Sequence, residues 1–235
     1  MYIEKHIITN VFCDIIDNME YKVVEVKENL LIENSQKARQ LRDKLTKKGV
    51  YFINVMASPG SGKTTLLVNL INRLKNDYSI GVMEADIDGD VDAERIHKLT
   101  GVPSIQVHTS GACHLTAQMV EDAIDSFNIK DIDLLILENV GNLVCPAEFD
   151  TGAHLNLVLL SIPEGDDKPL KYPLMFEVAN IVAITKIDTL PAFNFDIEKC
   201  KNNIRYRNKD IDIYTISALK DEGIEELARA IRQKI

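Results

Sequence analysis

The stretch "ASPGSGKT", residues 57–64, follows the apolar run "YFINVMA" and precedes a segment with helical spacing of apolar residues. Glycines at positions 60 and 62 let backbone N–H groups turn toward a polyphosphate without a β-carbon in the way, and the N-terminus of the following helix adds a favourable dipole. The pattern therefore predicts a phosphate-binding loop. In such a loop Lys63 reaches the β- and γ-phosphates of a nucleotide, and Thr64 offers its hydroxyl group to Mg²⁺.

The loop departs from the strict pattern at its first position, where Ala57 stands in place of glycine. A methyl group is tolerated there if the residue needs no positive φ. The alternative is a glycine turn that fits by chance, but strand, loop, Lys-Thr pair and helix are all in register. The residues predicted to contact the nucleotide in this segment are Gly60, Ser61, Gly62, Lys63, Thr64 and Thr65.

Near-continuous apolar runs alternate with amphipathic segments from Tyr51 onward. Such alternation is typical of a parallel sheet covered on both faces by helices. With 235 residues, of which 46% are hydrophobic, the chain is long enough for one sizeable α/β domain. We predict an α/β fold, the three-layer fold of P-loop NTPases, with a mostly parallel central sheet. The runs are "YFINVMA", "SIGVMEA", "SIQVH", "DLLILE", "LNLVLLSI", "NIVAIT" and "DIYTIS", and helices are predicted at 63–76, 91–100, 114–127, 173–179, 196–206 and 222–234.

The chain divides into an N-terminal segment, 1–27, and a single P-loop domain, 28–235, whose helical lead-in covers 28–49. The segment contains "EYKVVEV", a candidate strand. The lead-in contains "ENSQKARQLRDKLTKKG", which we predict to be a charged helix that stops at Gly49. The apolar residues on one face of that helix are Ala38, Leu41 and Leu45.

The charge balance argues against nucleic acid as a partner, since Lys+Arg 27 against Asp+Glu 36 gives a net charge of -9. The N-terminus lacks the pattern of a secretory signal, and the apolar runs are shorter than the roughly 20 residues needed to span a bilayer. We therefore expect a cytoplasmic protein without a membrane partner. Its scattered cysteines are then buried, reactive or metal-bound thiols rather than disulfides. They are Cys13, Cys113, Cys145 and Cys200.

Guanine recognition is predicted by "TKID", residues 185–188, which follows the run "NIVAI" and resembles the Asn/Thr-Lys-x-Asp element of GTPases. The Asp188 carboxylate can accept two hydrogen bonds from guanine, and adenine lacks that donor pair. The stem of Lys186 can lie against the base. In "SAL", residues 217–219, the backbone N–H groups of Ser217 and Ala218 are candidates for the guanine O6. Adenosine nucleotides remain the alternative.

The ends of two strands supply candidates for Mg²⁺ binding and phosphate sensing. Asp86 can approach Mg²⁺ directly or through water, together with Thr64. Glu138 begins "ENVG", where many GTPases carry Asp-x-x-Gly, and is the third candidate ligand of Mg²⁺; Gly141 can offer its N–H to the γ-phosphate. No general base or water-orienting glutamine is evident. Positioning of the phosphates and charge neutralisation by Lys63 and Mg²⁺ can still promote phosphoryl transfer. Because no residue is evident that would activate the water, we expect slow hydrolysis.

The acidic stretch "EADIDGDVDAE", residues 84–94, carries carboxylates at alternate positions. A calcium loop of the EF-hand kind needs glycine at its sixth position and glutamate at its twelfth. Counted from Asp86 these positions are Val91 and His97, which excludes that interpretation. Asp88, Asp90 and Asp92 are predicted to form a solvated helix start.

The pair in "SGACHL", Cys113 and His114, offers the thiolate and imidazole ligands that suit zinc and nickel. Cys145 follows the switch residue Gly141 by four positions. From spacing alone an inert buried thiol is the more common outcome, because free cysteine is among the most buried residue types.

Several segments together resemble the HypB family, the GTPases that help to load nickel into [NiFe]-hydrogenase. The likeness runs from about Glu28 to the C-terminus. It rests on "SPGSGKTTLL", "ADIDGDVDAERI", "GACHL", "ENVGNLVCP", "EGDDKPLKYP" and "TKIDTLP". In "EGDDKPLKYP", residues 164–173, the acids and Lys168 could contact the nucleotide or another subunit, and a polar loop is an equally good interpretation.

The resemblance implies a homodimeric GTPase whose Cys113, His114 and Cys145 bind zinc or nickel where two subunits meet. It also implies delivery of nickel to a hydrogenase maturation partner protein or to the hydrogenase large subunit. Many relatives carry an N-terminal cysteine motif or a histidine-rich tract, whereas residues 1–27 hold only Cys13 and His6. Nickel storage at the N-terminus is therefore not expected.

Other functions compete with this one. A related accessory GTPase for urease or another metalloenzyme would share the nucleotide elements, although its metal motifs would differ. A metal-binding module with a purely structural nucleotide is a third alternative.

Overall fold

In the computed structural model, the described residues are 26–86, 91–109, 111–127 and 129–235. The chain divides into two compact units, Met1–Ile32 and Glu33–Ile235. The boundary predicted at residue 28 stays a prediction. The candidate strand "EYKVVEV" lies outside the described residues except for Val26, which begins a helix.

Seven parallel strands form the central sheet of the described chain, in the order β3-β2-β4-β1-β5-β6-β7. The prediction of a mostly parallel sheet is confirmed, and every strand pair is parallel. Each predicted apolar run coincides with one strand, and the second strand extends one residue beyond its run, to Asp86. The strands are β1 (Tyr51–Ala57), β2 (Ile80–Asp86), β3 (Ser104–His108), β4 (Leu134–Glu138), β5 (Leu155–Ser161), β6 (Ile181–Thr185) and β7 (Asp212–Thr215).

Helices flank the sheet and connect most of its strands. The helices are α1 (Val26–Lys47), α2 (Lys63–Leu74), α3 (Val91–Thr100), α4 (Ala117–Phe127), α5 (Cys145–Glu148), α6 (Lys168–Lys171), α7 (Pro173–Glu177), α8 (Ile197–Arg207) and α9 (Ile224–Arg232). Among the described residues, none of them is both long and apolar enough to cross a membrane.

Four of the predicted helices begin elsewhere: α8 and α9 begin one and two residues later than predicted, and the other two carry a structural reason. The helix predicted at 114–127 begins at Ala117, because the Thr116 hydroxyl accepts a hydrogen bond from the Met119 N–H (3.3 Å) and caps the first turn. Cys113 and His114 therefore lie in the loop before α4. The lead-in helix starts at Val26 and ends at Lys47, where Gly49 with φ 72° supports the turn.

Both faces of the sheet are buried, which explains why the strands read as continuous apolar runs. On one face α2, α3 and α9 pack on β1 and its neighbours through residues such as Leu70, Ile96 and Leu227. On the other face lie α1 and α4, and, over β5 and β6, α7 and α8. The predicted apolar face of α1 is fully buried: it consists of Ala38, Leu41 and Leu45.

Candidate functional site

The phosphate loop joins β1 to α2 at the carboxyl edge of the sheet. Gly60 and Gly62 have φ values of 72° and 96°, a backbone conformation that favours glycine. Gly62 caps α2, so the helix N-terminus opens onto a cavity of about 590 Å³. Of the predicted loop residues, Gly60, Gly62, Lys63, Thr64 and Thr65 line this cavity. Ser61 is buried beneath them, and Ala57 is a buried strand residue.

Two glutamates form the floor of the cavity. Glu84 of β2 and Glu138 of β4 are register partners, and both side chains are buried. Burial, followed by the neighbouring Glu138 carboxylate, raises the pKa of Glu84 to about 11, and burial also raises the pKa of Glu138. Glu84 Oε1 and Glu138 Oε2 have no hydrogen-bond donor within the described residues.

The Glu138 carboxylate also meets the start of α2. Thr64 Oγ1 donates a 3.0 Å hydrogen bond to Glu138 Oε1, and Lys63 Nζ lies 4.0 Å from the same oxygen. Asp86 lines the same cavity from the end of β2. Carboxylate and hydroxyl oxygens are the ligands that Mg²⁺ prefers. Because one oxygen of Glu138 is buried without a donor, this donor set fits a divalent cation.

Gly141 packs directly on the phosphate loop. A Cβ atom at this position would lie 3.0 Å from the Pro59 backbone nitrogen, so only glycine allows this approach without displacement. Gly141 lines the cavity, as its predicted role requires.

The "TKID" segment meets the phosphate loop through hydrogen bonds. Thr185 Oγ1 donates to the Ser61 carbonyl oxygen (2.8 Å), and Lys186 Nζ donates to that of Gly60 (2.6 Å). The Asp188 carboxylate accepts a 2.6 Å hydrogen bond from the Ser217 hydroxyl. The structure thus brings the predicted phosphate and base elements to one edge of the sheet.

The "SAL" loop uses the N–H group of Ser217 differently from the prediction. This N–H donates to the Glu222 carbonyl oxygen (3.0 Å). The Glu222 N–H donates to the Ser217 carbonyl oxygen at the same distance, and the two hydrogen bonds form an isolated antiparallel bridge. Ser217 therefore acts on the site through its hydroxyl group, which orients Asp188. Ala218 is held by Asn69, whose side chain donates to its carbonyl oxygen at 2.7 Å, and it remains the candidate for the guanine O6.

A second cluster contains Cys113, His114 and Cys145, whose candidate ligand atoms all lie within 4.8 Å of one another. Cys113 Sγ is 2.7 Å from Cys145 Sγ and 3.8 Å from His114 Nδ1. All three side chains are partly exposed and both thiols are free. The structure thus brings together a loop after β3 and the first residue of α5, which are distant in sequence.

The environment of this cluster favours the neutral imidazole that metals require. The His114 ring stacks on Phe149, with centroids 3.8 Å apart, and burial lowers its pKa. The pKa of Cys145 is raised, chiefly by its hydrogen bond with Cys113. A bound cation would reverse this last effect by favouring thiolates.

Sequence reasoning missed several residues that line the nucleotide cavity. Glu84 carried a signal, since it is a charged residue inside an apolar run. Asp92, predicted only as part of a solvated helix start, lies in the first turn of α3 and also lines the cavity; Asp88 and Asp90 lie outside the described residues. Gln106, Arg95 and Asn139 contribute as well, without a local sequence signal.

The acids of "EGDDKPLKYP" serve local structure. Glu164 Oε2 accepts hydrogen bonds from the backbone N–H and hydroxyl of Ser161 (2.8 and 2.6 Å). Asp166 accepts from Lys199 Nζ (2.9 Å), and Asp167 pairs with Lys171. Instead of a polar loop, part of the stretch forms α6 and the start of α7.

Strand, glycine loop, helix N-terminus and the residues around the cavity define a nucleotide-binding domain of the P-loop class. Residues 51–215 match the family model described as "CobW/HypB/UreG, nucleotide-binding domain". The hydrogenase maturation factor HypB of Escherichia coli K12 is 44% identical over 205 residues, which cover 87% of this chain and 70% of that protein. The chain belongs to the HypB family.

Two further matches come from Helicobacter pylori. Its hydrogenase/urease maturation factor HypB (strain 26695) is 40% identical over 221 residues, covering 92% of this chain and 90% of that protein. The crystal structure of HypB from this species in complex with nickel superposes with a TM-score of 0.81 at 42% identity. That match covers 86% of this chain and 94% of the crystallised one.

Proposed function

We propose that this protein is a GTP-binding and GTP-hydrolysing metallochaperone that assists nickel insertion into [NiFe]-hydrogenase. The observation that carries the proposal is the convergence of Cys113, His114 and Cys145 beside a P-loop nucleotide site in a HypB-family chain. Its relatives are named hydrogenase maturation factors, and one was crystallised with nickel. Thiolate and imidazole ligands suit nickel and zinc alike.

The nucleotide site has a role for each predicted residue. Gly60 to Thr65 hold the phosphates, with Lys63 neutralising charge that develops on them during hydrolysis. Asp188, oriented by Ser217, accepts hydrogen bonds from guanine, and Lys186 lies along the base. Thr64, Asp86 and Glu138 would hold Mg²⁺, which would supply charge neutralisation to the bound nucleotide.

The link between the two sites is the segment that starts at the end of β4. Gly141, which contacts the phosphate loop, and Cys145, which supplies a thiol, are four residues apart in this segment. A nucleotide-dependent movement of Gly141 would therefore reach the metal site. Three ligands leave a metal coordination sphere incomplete, so a second copy of the chain would complete it in a homodimer. The recipients of nickel are a hydrogenase maturation partner protein and the hydrogenase large subunit.

A nickel titration of the purified protein tests the proposal, once with a non-hydrolysable GTP analogue bound and once with GDP bound. We expect the nickel affinity to differ between the two nucleotide states. Nickel should then change the ratio of the two nucleotide affinities by the same factor. Cys145→Ser should abolish the difference. Identical wild-type curves in both nucleotide states would reduce the cluster to a static metal site and would contradict nucleotide-controlled delivery.

Urease maturation is the second candidate, because the Helicobacter pylori relative is named for both enzymes. Expression in a host that makes both nickel enzymes and lacks its own copy distinguishes the two functions. Recovery of hydrogenase activity alone supports the first, and recovery of urease alone supports the second. Lys63→Ala serves as the nucleotide-site control in both assays.

A further inference from the structure

One face of helix α1 packs on the two segments that carry the clustered cysteines and histidine. Asn34, Ala38 and Arg42 recur every four residues, so they lie on the same side of the helix. Asn34 is only 8% exposed. At Gly152, with φ 83°, an added Cβ would come within 3.0 Å of the Ala38 carbonyl oxygen. The helix and the chain after α5 are therefore in close contact.

The side-chain amide of Asn34 makes two hydrogen bonds, one in each direction. Its Nδ2 donates to the Asp150 carbonyl oxygen at 2.9 Å, and its Oδ1 accepts from the Ala117 N–H at 2.8 Å. Asp150 follows the short helix that begins with Cys145. Ala117 begins α4, directly after the loop that holds Cys113 and His114. One amide thus bridges the two segments.

Within the described residues, the Arg42 side chain binds one of these segments, the chain after α5. Its Nε donates to the Ala153 carbonyl oxygen and its Nη2 to both carboxylate oxygens of Asp150, all at 2.8 Å. Arg42 therefore anchors the chain after Cys145 to α1. Asn34 links that chain to the first residue of α4, and so adds to the direct contacts of His114 with Phe149 and of Cys113 with Cys145.

We propose that Asn34 is a positioning residue for the metal site, one that sets the distance between Cys145 and the Cys113–His114 pair. This inference rests on the proposed function. Ligands drawn from two separate segments must be ordered to bind one ion, and ordering them in advance lowers the cost of binding. The position requires a donor and an acceptor in one short side chain, and asparagine supplies both. Aspartate would keep the acceptor for Ala117 and lose the donor for Asp150.

The test compares nickel affinity in the full chain, measured with Ni²⁺ alone against a chromophoric chelator, in the wild type, Asn34→Leu and Asn34→Asp. Asn208→Leu is the control, because the Asn208 side chain, at the end of α8, also donates to a remote backbone carbonyl oxygen, that of Ala179 (3.0 Å). We expect both Asn34 variants to bind nickel about 10-fold more weakly, as is typical when support of a metal site is removed. Affinity for fluorescent GDP should stay within about twofold of wild type.

Thiolate-to-nickel charge-transfer absorption provides a second readout, because it reports how many cysteines reach the ion. We expect it to be weaker in the Asn34 variants at saturating nickel and unchanged in Asn208→Leu. If Asn34→Leu does not fold, the nickel affinity and the charge-transfer absorption of Asn34→Asp and Asn34→Ser are compared with those of the wild type instead. Unchanged nickel affinity in folded Asn34 variants would overturn the inference, as would an equal loss in an equally destabilised Asn208→Leu.

The two proposals fail in distinguishable ways. If the charge-transfer band of the wild type is absent, or is equally strong in Cys145→Ser, the proposed metal site is wrong and the role of Asn34 is overturned with it. If the band depends on Cys145 but the Asn34 variants match the wild type, the metal site stands and only the positioning role is overturned.

Discussion

Glu84 and Glu138 face each other across β2 and β4 as register partners, each with a buried carboxyl oxygen that no donor in the described chain reaches. Two ionised carboxylates in this arrangement repel each other and are poorly solvated. Burial, and after it the neighbouring Glu138 carboxylate, raises the pKa of Glu84 to about 11, which favours its protonated form.

The stability of the nucleotide-free protein should fall as pH rises. A raised folded-state pKa means that the folded state binds more protons than the unfolded state, so stability decreases from the unfolded pKa, near 4.5, toward about 11. Glu84→Gln removes this proton linkage. We expect the free energy of unfolding of the variant, relative to that of the wild type, to increase by at least about 1 kcal/mol as the pH rises from 6 to 9. Denaturant unfolding followed by circular dichroism in EDTA measures this difference, and parallel pH profiles would contradict it.

Replacing Lys63 should impair nucleotide chemistry without unfolding the domain. The Lys63 ammonium group lies at the start of α2, at the cavity wall, where the phosphates are expected. We expect Lys63→Ala to lower the rate of GTP hydrolysis about 100-fold, as the loss of one charge-stabilising donor does elsewhere. Lys75→Ala is the control, since Lys75 donates to the Thr100 carbonyl oxygen and is absent from this cavity. Equal phosphate release by both variants would contradict the assignment.

Asp188 should determine which base is bound. In the proposed site its carboxylate would accept hydrogen bonds from the N1-H and amino group of guanine, whereas an amide at this position would present a donor that suits the O2 carbonyl of xanthine. We expect Asp188→Asn to weaken GTP binding at least about 10-fold and to improve XTP binding. Competition of GTP, XTP and ATP against fluorescent GDP measures the change. Ser217→Ala, which removes only the orienting hydroxyl, should have a smaller effect; strong ATP binding by the wild type would overturn guanine selectivity.

The fold was predictable because each element carries its own local pattern. The phosphate loop needs glycines with positive φ, and the buried strands need continuous apolar runs. The start of α4 was less predictable. The capping hydroxyl of Thr116 determines that the helix begins at Ala117. The sequence pattern shows no change between residues 114 and 117, so the helix was predicted to begin at His114.

The site was predictable where the chemistry is local and unpredictable where it depends on register. Lys63 and Asp188 belong to short motifs. Glu84 becomes important only because β2 and β4 align it with Glu138, and Asn34 only because α1 packs on two remote segments. One sequence contains no signal for such pairings.

Nickel binding should strengthen with pH through the thiols and not through the histidine. Metal binding displaces thiol protons. The pKa of the Cys145 thiol is raised above its ordinary value, chiefly by its hydrogen bond with the Cys113 thiol. The pKa of His114 is lowered by burial, so its ring is already neutral above pH 7. We expect log K to rise by about two per pH unit between pH 7 and 8, and by about one in Cys145→Ser. Chelator competition across this range measures the slope, and an unchanged slope in Cys145→Ser would exclude Cys145 as a ligand.

Contact between α1 and the chain after α5 should make position 152 intolerant of a side chain. Gly152 has φ 83°, and an added Cβ would lie 3.0 Å from the Ala38 carbonyl oxygen and 3.2 Å from the Leu41 side chain. Gly49→Ala is the matched control, since Gly49 has φ 72° and its added Cβ would meet nothing within 4 Å. Gly49→Ala should cost about 1 kcal/mol from backbone strain alone, and Gly152→Ala about 3 kcal/mol because steric overlap adds to the strain. Denaturant unfolding of both variants provides the measurement. If Gly152→Ala costs no more than Gly49→Ala, α1 is not tightly packed on this segment and Asn34 cannot hold the metal ligands as proposed.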